Sequence, residues 1–105
     1  MGVLFYGSNE PIEIPDRLLA HVKVVVTAKL RRDEKFTLSW AYPLGSGGGR
    51  STIWLNSAIP LQFVFDSEEP EILDPALLRE LADAANSARG LTIQLDPVMA
   101  PVPVG

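Results

Sequence analysis

The sequence predicts an α+β fold: a two-layer sandwich in which two helices cover one face of a mostly antiparallel sheet of about six strands. Three observations predict it. Short runs alternate apolar and polar residues with a period of two, as half-buried strands do. Two longer segments carry one apolar stripe at 3.6 residues per turn. Most links between strands are short, which favours antiparallel neighbours. The predicted order is β-β-α-β-β-β-α-β. A helix with a single stripe buries one side only, so both helices are expected on the same sheet face.

Val3 to Tyr6 reads as the first strand, with Gly7-Ser8-Asn9 as a turn. Ile12 and Ile14, alternating with Glu13, complete a hairpin. Pro15-Asp16 starts a helix, with Asp16 as the expected capping acceptor. Its stripe is Leu18, Leu19, Val22, Val25, Val26 and Leu30, and it should end near Arg32. Phe36, Leu38, Trp40 and Tyr42 form the inward side of the next strand. The glycine-rich stretch 43–49 links it to a strand around Ile53 and Leu55. A turn at Asn56-Ser57-Ala58 leads to a strand through Leu61, Phe63 and Phe65, followed by an acidic loop from Asp66 to Glu71. Asp74-Pro75 is a helix start, an acceptor followed by proline in the first helical position. Leu77, Leu78, Leu81, Ala84, Ala85 and Ala88 make its stripe, and Gly90 stands where a left-handed C-terminal glycine belongs. Leu91, Ile93 and Leu95 make the last strand. Residues 1–95 thus read as a single domain and 96–105, with three prolines, as an extended tail.

Composition sets limits on function. The chain has 105 residues, 47% hydrophobic, with a formal charge of −4. That is enough apolar side chain to offset the ordering entropy of one domain. No apolar run approaches the roughly 20 residues that span a bilayer, and the first ten residues lack the pattern of a signal peptide. A cytoplasmic protein is the default expectation. Cysteine is absent, so disulfides, thiolate zinc sites and cysteine nucleophiles are excluded. With one histidine there is no multi-histidine metal site. Neither a metal nor a cofactor is expected. The charge is split unevenly: residues 1–50 carry +2 and residues 51–105 carry −6.

The outer sheet face is expected to show Thr37, Ser39, Ala41, Thr52, Trp54, Gln62, Val64, Thr92 and Gln94. A tryptophan among hydroxyls is an unusual residue to leave in water, so Trp54 is a candidate binding residue. Arg31, Arg32, Lys35 and Arg50 are candidates for a basic patch. His21, four residues after Arg17, is expected on the helix surface, away from the apolar stripe. Lys29 falls inside the stripe; its stem is expected to reach out to solvent near the helix end, the alternative being a carboxylate that holds its amine.

The segments DRLLAHVKVVVTAKLRRDEKFTLSW, GGGRSTIWLNSAIPLQFVF and AANSARGLTIQ resemble a family of small actinobacterial proteins often labelled "ATP-dependent DNA ligase". The likeness covers nearly the whole chain except the tail, and it marks Arg17, His21, Lys29, Arg31, Arg32, Trp40, Arg50 and Trp54. The label implies contact with DNA or with a ligase. Catalysis of adenylation would need a lysine in a K-x-D-G setting; Lys23, Lys29 and Lys35 are followed by Val-Val-Val, Leu-Arg-Arg and Phe-Thr-Leu.

Three readings follow, in order. The first is a non-catalytic interaction domain that self-associates, or docks a partner, through its open sheet face. The second is an accessory nucleic-acid binder using Arg31, Arg32, Lys35 and Arg50 on phosphates and Trp54 on a base. The third is an enzyme using His21 or Lys29. The continuity of the four cations with Trp54 separates the first two.

Overall fold

A computed structural model describes residues 2–8, 10–41 and 49–95. The element order is the expected one: β1 (Gly2–Tyr6), β2 (Ile12–Ile14), α1 (Asp16–Arg31), β3 (Phe36–Ala41), β4 (Arg50–Leu55), β5 (Leu61–Val64), α2 (Pro75–Ala85) and β6 (Leu91–Gln94). The tail 96–105, Tyr42 and most of the glycine-rich link lie outside the described residues.

The α+β class holds, with one correction to its sheet. The six strands divide between two three-stranded sheets, ordered β2-β1-β5 and β4-β3-β6. After the turn at residues 56–60 the chain does not fold back on β4. The Gly7 N–H donates to the Pro60 carbonyl (2.8 Å), and β5 then runs antiparallel to β1. This register sets Leu61 opposite Tyr6 and Phe63 opposite Leu4, so apolar side chains meet on the inner face. The sheets adjoin where the Tyr6 hydroxyl donates to the Trp54 carbonyl. The pairing of β3 with β6 is parallel, the other three pairings being antiparallel. A parallel neighbour needs a crossover, and the passage through β4, β5 and α2 supplies it.

The helices lie side by side and point the same way. Arg17 and His21 near the start of α1 meet Asp74 at the start of α2, and Lys29 in the last turn of α1 meets Asn86 at the end of α2. The core between helices and sheets holds Leu4, Ile14, Leu19, Val22, Val26, Leu38, Leu55 and Leu91.

Two local expectations need correction. Asp16 does not cap its own helix: Pro15 holds the cap position without a side-chain bond. The Asp16 carboxylate instead accepts from the backbone N–H groups of Asp66 (3.1 Å) and Ser67 (3.2 Å), fastening the acidic loop to the start of α1. Helix α2 stops at Ala85, so Ala88 lies beyond it and is exposed rather than part of its stripe. Asp74 caps α2 as expected, its Oδ1 accepting from the Ala76 N–H (2.9 Å), with Pro75 directly after it.

Candidate interaction surface

Strand alternation decides what the β4-β3-β6 sheet shows. Phe36, Leu38 and Trp40 point inward and are buried, so Thr37, Ser39 and Ala41 point outward. The antiparallel register sets Thr37 opposite Trp54, Ser39 opposite Thr52, and Ala41 opposite Arg50. The Ser39 and Thr52 hydroxyls are 2.7 Å apart and hydrogen-bonded to each other. Beside this hydroxyl pair stands Trp54, 55% exposed. Lys35, one residue before β3 and exposed, continues the outward side of Thr37 and so lies diagonal to Trp54. On the other sheet, Val3 pairs with Val64 and Phe5 with Gln62, and Phe5 and Val64 remain exposed.

The helix pair is joined at both ends. At its start, the Asp74 N–H donates to His21 Nε2 (2.8 Å). Nε2 is therefore an acceptor, and the ring proton sits on Nδ1, which donates to the Arg17 carbonyl (2.6 Å). Arg17 reaches the Asp74 carboxylate at 3.3 Å. At the other end, Lys29 Nζ donates to Asn86 Oδ1 (2.7 Å) and lies 3.4 Å from a Glu34 oxygen and 5.4 Å from the centre of the Phe36 ring. Two parallel helices bring their C-terminal carbonyl ends together, and an ammonium between them is favourably placed against both dipoles.

Glu34 also accepts from Arg32 (3.1 Å). The Arg32 guanidinium holds its carboxyl below the usual carboxylate value; desolvation opposes this less strongly, and Lys29 adds a smaller lowering. A carboxyl lowered on folding contributes stability above its unfolded value, and that contribution is lost as pH falls through the lower, folded value. The urea-midpoint shift caused by Glu34→Gln should therefore be larger at about pH 7 than at about pH 3. Equal shifts at both pH values would show that the carboxylate charge is not what binds here.

A family model, Domain of unknown function (DUF7882), matches residues 1–96 and so takes in all eight elements. The chain belongs to the DUF7882 family. No curated protein and no solved structure matches it.

The DUF7882 fold sorts the candidate residues into separate places. Trp54 and Arg50 share the outer face of the second sheet, with Lys35 at its end. Arg31 and Arg32 do not join them, because α1 packs on the inner side of the sheets; Arg32 lies at the α1–α2 groove, paired with Glu34. The four expected cations thus form no single patch with Trp54. Trp40 is a core residue. Arg17 is an exposed ion-pair partner of Asp74.

His21 corrects the expectation of a surface histidine: it is 0% exposed. A single apolar stripe describes contact with one neighbour, whereas α1 also lies against α2, and that second contact covers the His21 flank. Both ring nitrogens are engaged by backbone groups, so in this arrangement the ring has no lone pair to offer a substrate. Lys29 corrects the expectation of a stem reaching solvent: it is 8% exposed and its amine is held by a carboxylate and an amide. Among the described residues, no cluster of three or more His, Asp or Glu side chains could hold a metal, and no helix is long and apolar enough to cross a membrane.

Sequence reasoning missed three residues. Asn86 and Glu34 complete the Lys29 site, and Ile72, in the loop before α2, is 90% exposed. The Ile72-Leu73 pair directly after Glu71 was the available signal for the last, since isolated branched aliphatics are uncommon in an otherwise acidic loop.

Proposed function

We propose that this DUF7882 domain is a non-catalytic interaction module that self-associates through the outer face of its β4-β3-β6 sheet, with Trp54 as anchor. The observation that carries this reading is the exposed indole beside the hydrogen-bonded Ser39–Thr52 hydroxyl pair. Such a face has little to gain from water at its centre and much apolar area to gain from a partner. Large aromatics dominate interface energetics when they are covered. A second copy offers the same flat surface, and Trp54 stands on an edge strand where two copies can approach.

Sedimentation should show association of the wild-type chain at about 50 μM, and Trp54→Ala should lower the sedimenting mass, since truncating an interface anchor costs about 2 kcal/mol or more. Trp54 emission should move to the blue with concentration, while buried Trp40 gives a constant background. Equal masses for wild type and variant across that range would sink the reading.

Nucleic-acid binding on the same face is the second reading, favoured by Lys35 and Arg50 lying on either side of Trp54 in the register. It is the form in which an association with DNA or with a ligase fits this chain. It has lost two of its four cations, Arg31 and Arg32, and a chain of charge −4 repels phosphate overall.

A further inference from the structure

We propose that the outer face of the helix layer is a separate, self-complementary interface, occupied by a second copy of this chain related by a two-fold axis passing close to Val24. The face has three zones along α1. Near the start of the helix, a groove of about 320 Å³ is walled by Glu68, Glu69 and Glu71 of the loop before α2, with Ala20 and Leu73 beside them and Lys23 as its one cation among the described residues, so that it is acidic on balance. Toward the end, a groove of about 290 Å³ between the two helices is lined by Val25, Ala28, Leu78 and Ala82, with Lys29 and Arg32 at an end that stays basic on balance although both also face Glu34. Val24 borders both grooves and is 39% exposed.

The zones are spaced for a two-fold. Ala20 and Ala28 each lie four residues from Val24, about 6 Å along the axis in opposite directions. Rotation by half a turn about Val24 therefore lays the acidic groove of one copy over the basic groove of the other, and does so twice. Ile72, 90% exposed beside the acidic groove, is then carried to the apolar floor of the partner's groove, and Glu69 and Glu71 are carried to Arg32. The parallel helices of one copy run antiparallel to those of the other, so their dipoles oppose favourably across the axis. In a lone chain the same loop holds three glutamates together with an uncovered isoleucine. Charge complementarity within one surface is what an isologous contact uses.

This interface lies on the opposite layer from Trp54, so it is tested in a Trp54→Ala background, where the sheet face no longer contributes. Sedimentation at about 50 μM should give a dimer for that background alone. Adding Glu69→Lys with Glu71→Lys, or instead Arg32→Glu, should each weaken dimerisation at least ~10-fold by setting like charges together. An equimolar mixture of the two variants should recover the dimer, because each loop then meets a groove of opposite charge. Circular dichroism and urea midpoints establish that both variants fold. A monomeric background, a variant that stays dimeric, or a mixture that stays monomeric overturns the proposal. If Trp54→Ala leaves the wild-type mass unchanged while the charge swap behaves as stated, the sheet-face reading fails and this one stands.

Discussion

Replacing His21 by alanine should lower the stability of the domain by about 3 kcal/mol, a sum of cavity and hydrogen-bond terms. The ring is wholly buried where α1 meets the segment entering α2. Alanine removes most of its volume from a contact that cannot collapse freely, because both helix starts are also held by Arg17 and Asp74. The two hydrogen bonds are not equal losses. The Arg17 carbonyl keeps its helical partner, the N–H four residues on. The Asp74 N–H is left without an acceptor in a part-buried position, and such an orphan costs about 1–3 kcal/mol. His21→Leu separates the terms: it restores apolar volume and leaves only the orphaned N–H, so it should fall between wild type and His21→Ala. Urea unfolding of the three proteins provides the comparison. A loss under about 1 kcal/mol for His21→Ala would mean that the helix starts do not depend on this ring.

The proposed function rests on where that junction leaves the chemistry. His21 and Lys29, the two groups the sequence singled out for acid–base or nucleophilic work, are engaged in joining α1 to α2. What remains outward is Trp54 on hydroxyls on one layer, and charged grooves with exposed aliphatics on the other. On the proposed reading, these surfaces bind partners through the area of a covered aromatic and through charge.

Much of this was legible in local sequence. The stripe Leu19, Val22, Val25 and Val26, the Asp74-Pro75 start and the alternation from Phe36 to Trp40 each depend on neighbours in the chain, and each is found as read. Trp54 was legible for the same reason, since alternation with buried Leu55 fixes its face. The division into two sheets was not. Whether β5 pairs with β4 or with β1 is decided by apolar partners on β1, more than fifty residues away, and by the Gly7–Pro60 bond. The burial of His21 was hidden similarly, because periodicity reports that a helix has a buried stripe and not how many neighbours it touches. Arg31 and Arg32 are close in sequence to Lys35, yet the turn at Asp33, with φ of +57°, carries the chain from the helix layer to the sheet between them.

Gly90→Ala should destabilise the domain by about 3 kcal/mol, combining left-handed backbone strain with an overpacked contact. Gly90 has φ of +77°, where a β-carbon is disfavoured. Space is also lacking: a β-carbon there would run into the Thr37 side chain and come within 2.8 Å of the Thr37 carbonyl oxygen. This close approach is what lets the chain leave α2 and enter β6 directly beside β3, with Leu91 reaching its place opposite Leu38. The two contributions can be pulled apart with Thr37→Ala. That change removes the hydroxyl from the collision but leaves the carbonyl and the backbone angle. Gly90→Ala combined with Thr37→Ala should therefore recover part of the loss and never all of it. Thr37 is also the register partner of Trp54, so strain at Gly90 is delivered to the proposed binding face. Gly90→Ala should accordingly weaken self-association through the sheet face even where the domain remains folded, in contrast to His21→Ala, whose damage lies in the helix layer and away from Trp54. Stability unchanged within about 0.5 kcal/mol would show that β6 reaches β3 by another backbone path. Lost stability with self-association intact would show instead that the binding surface does not depend on the register of Thr37 and Trp54.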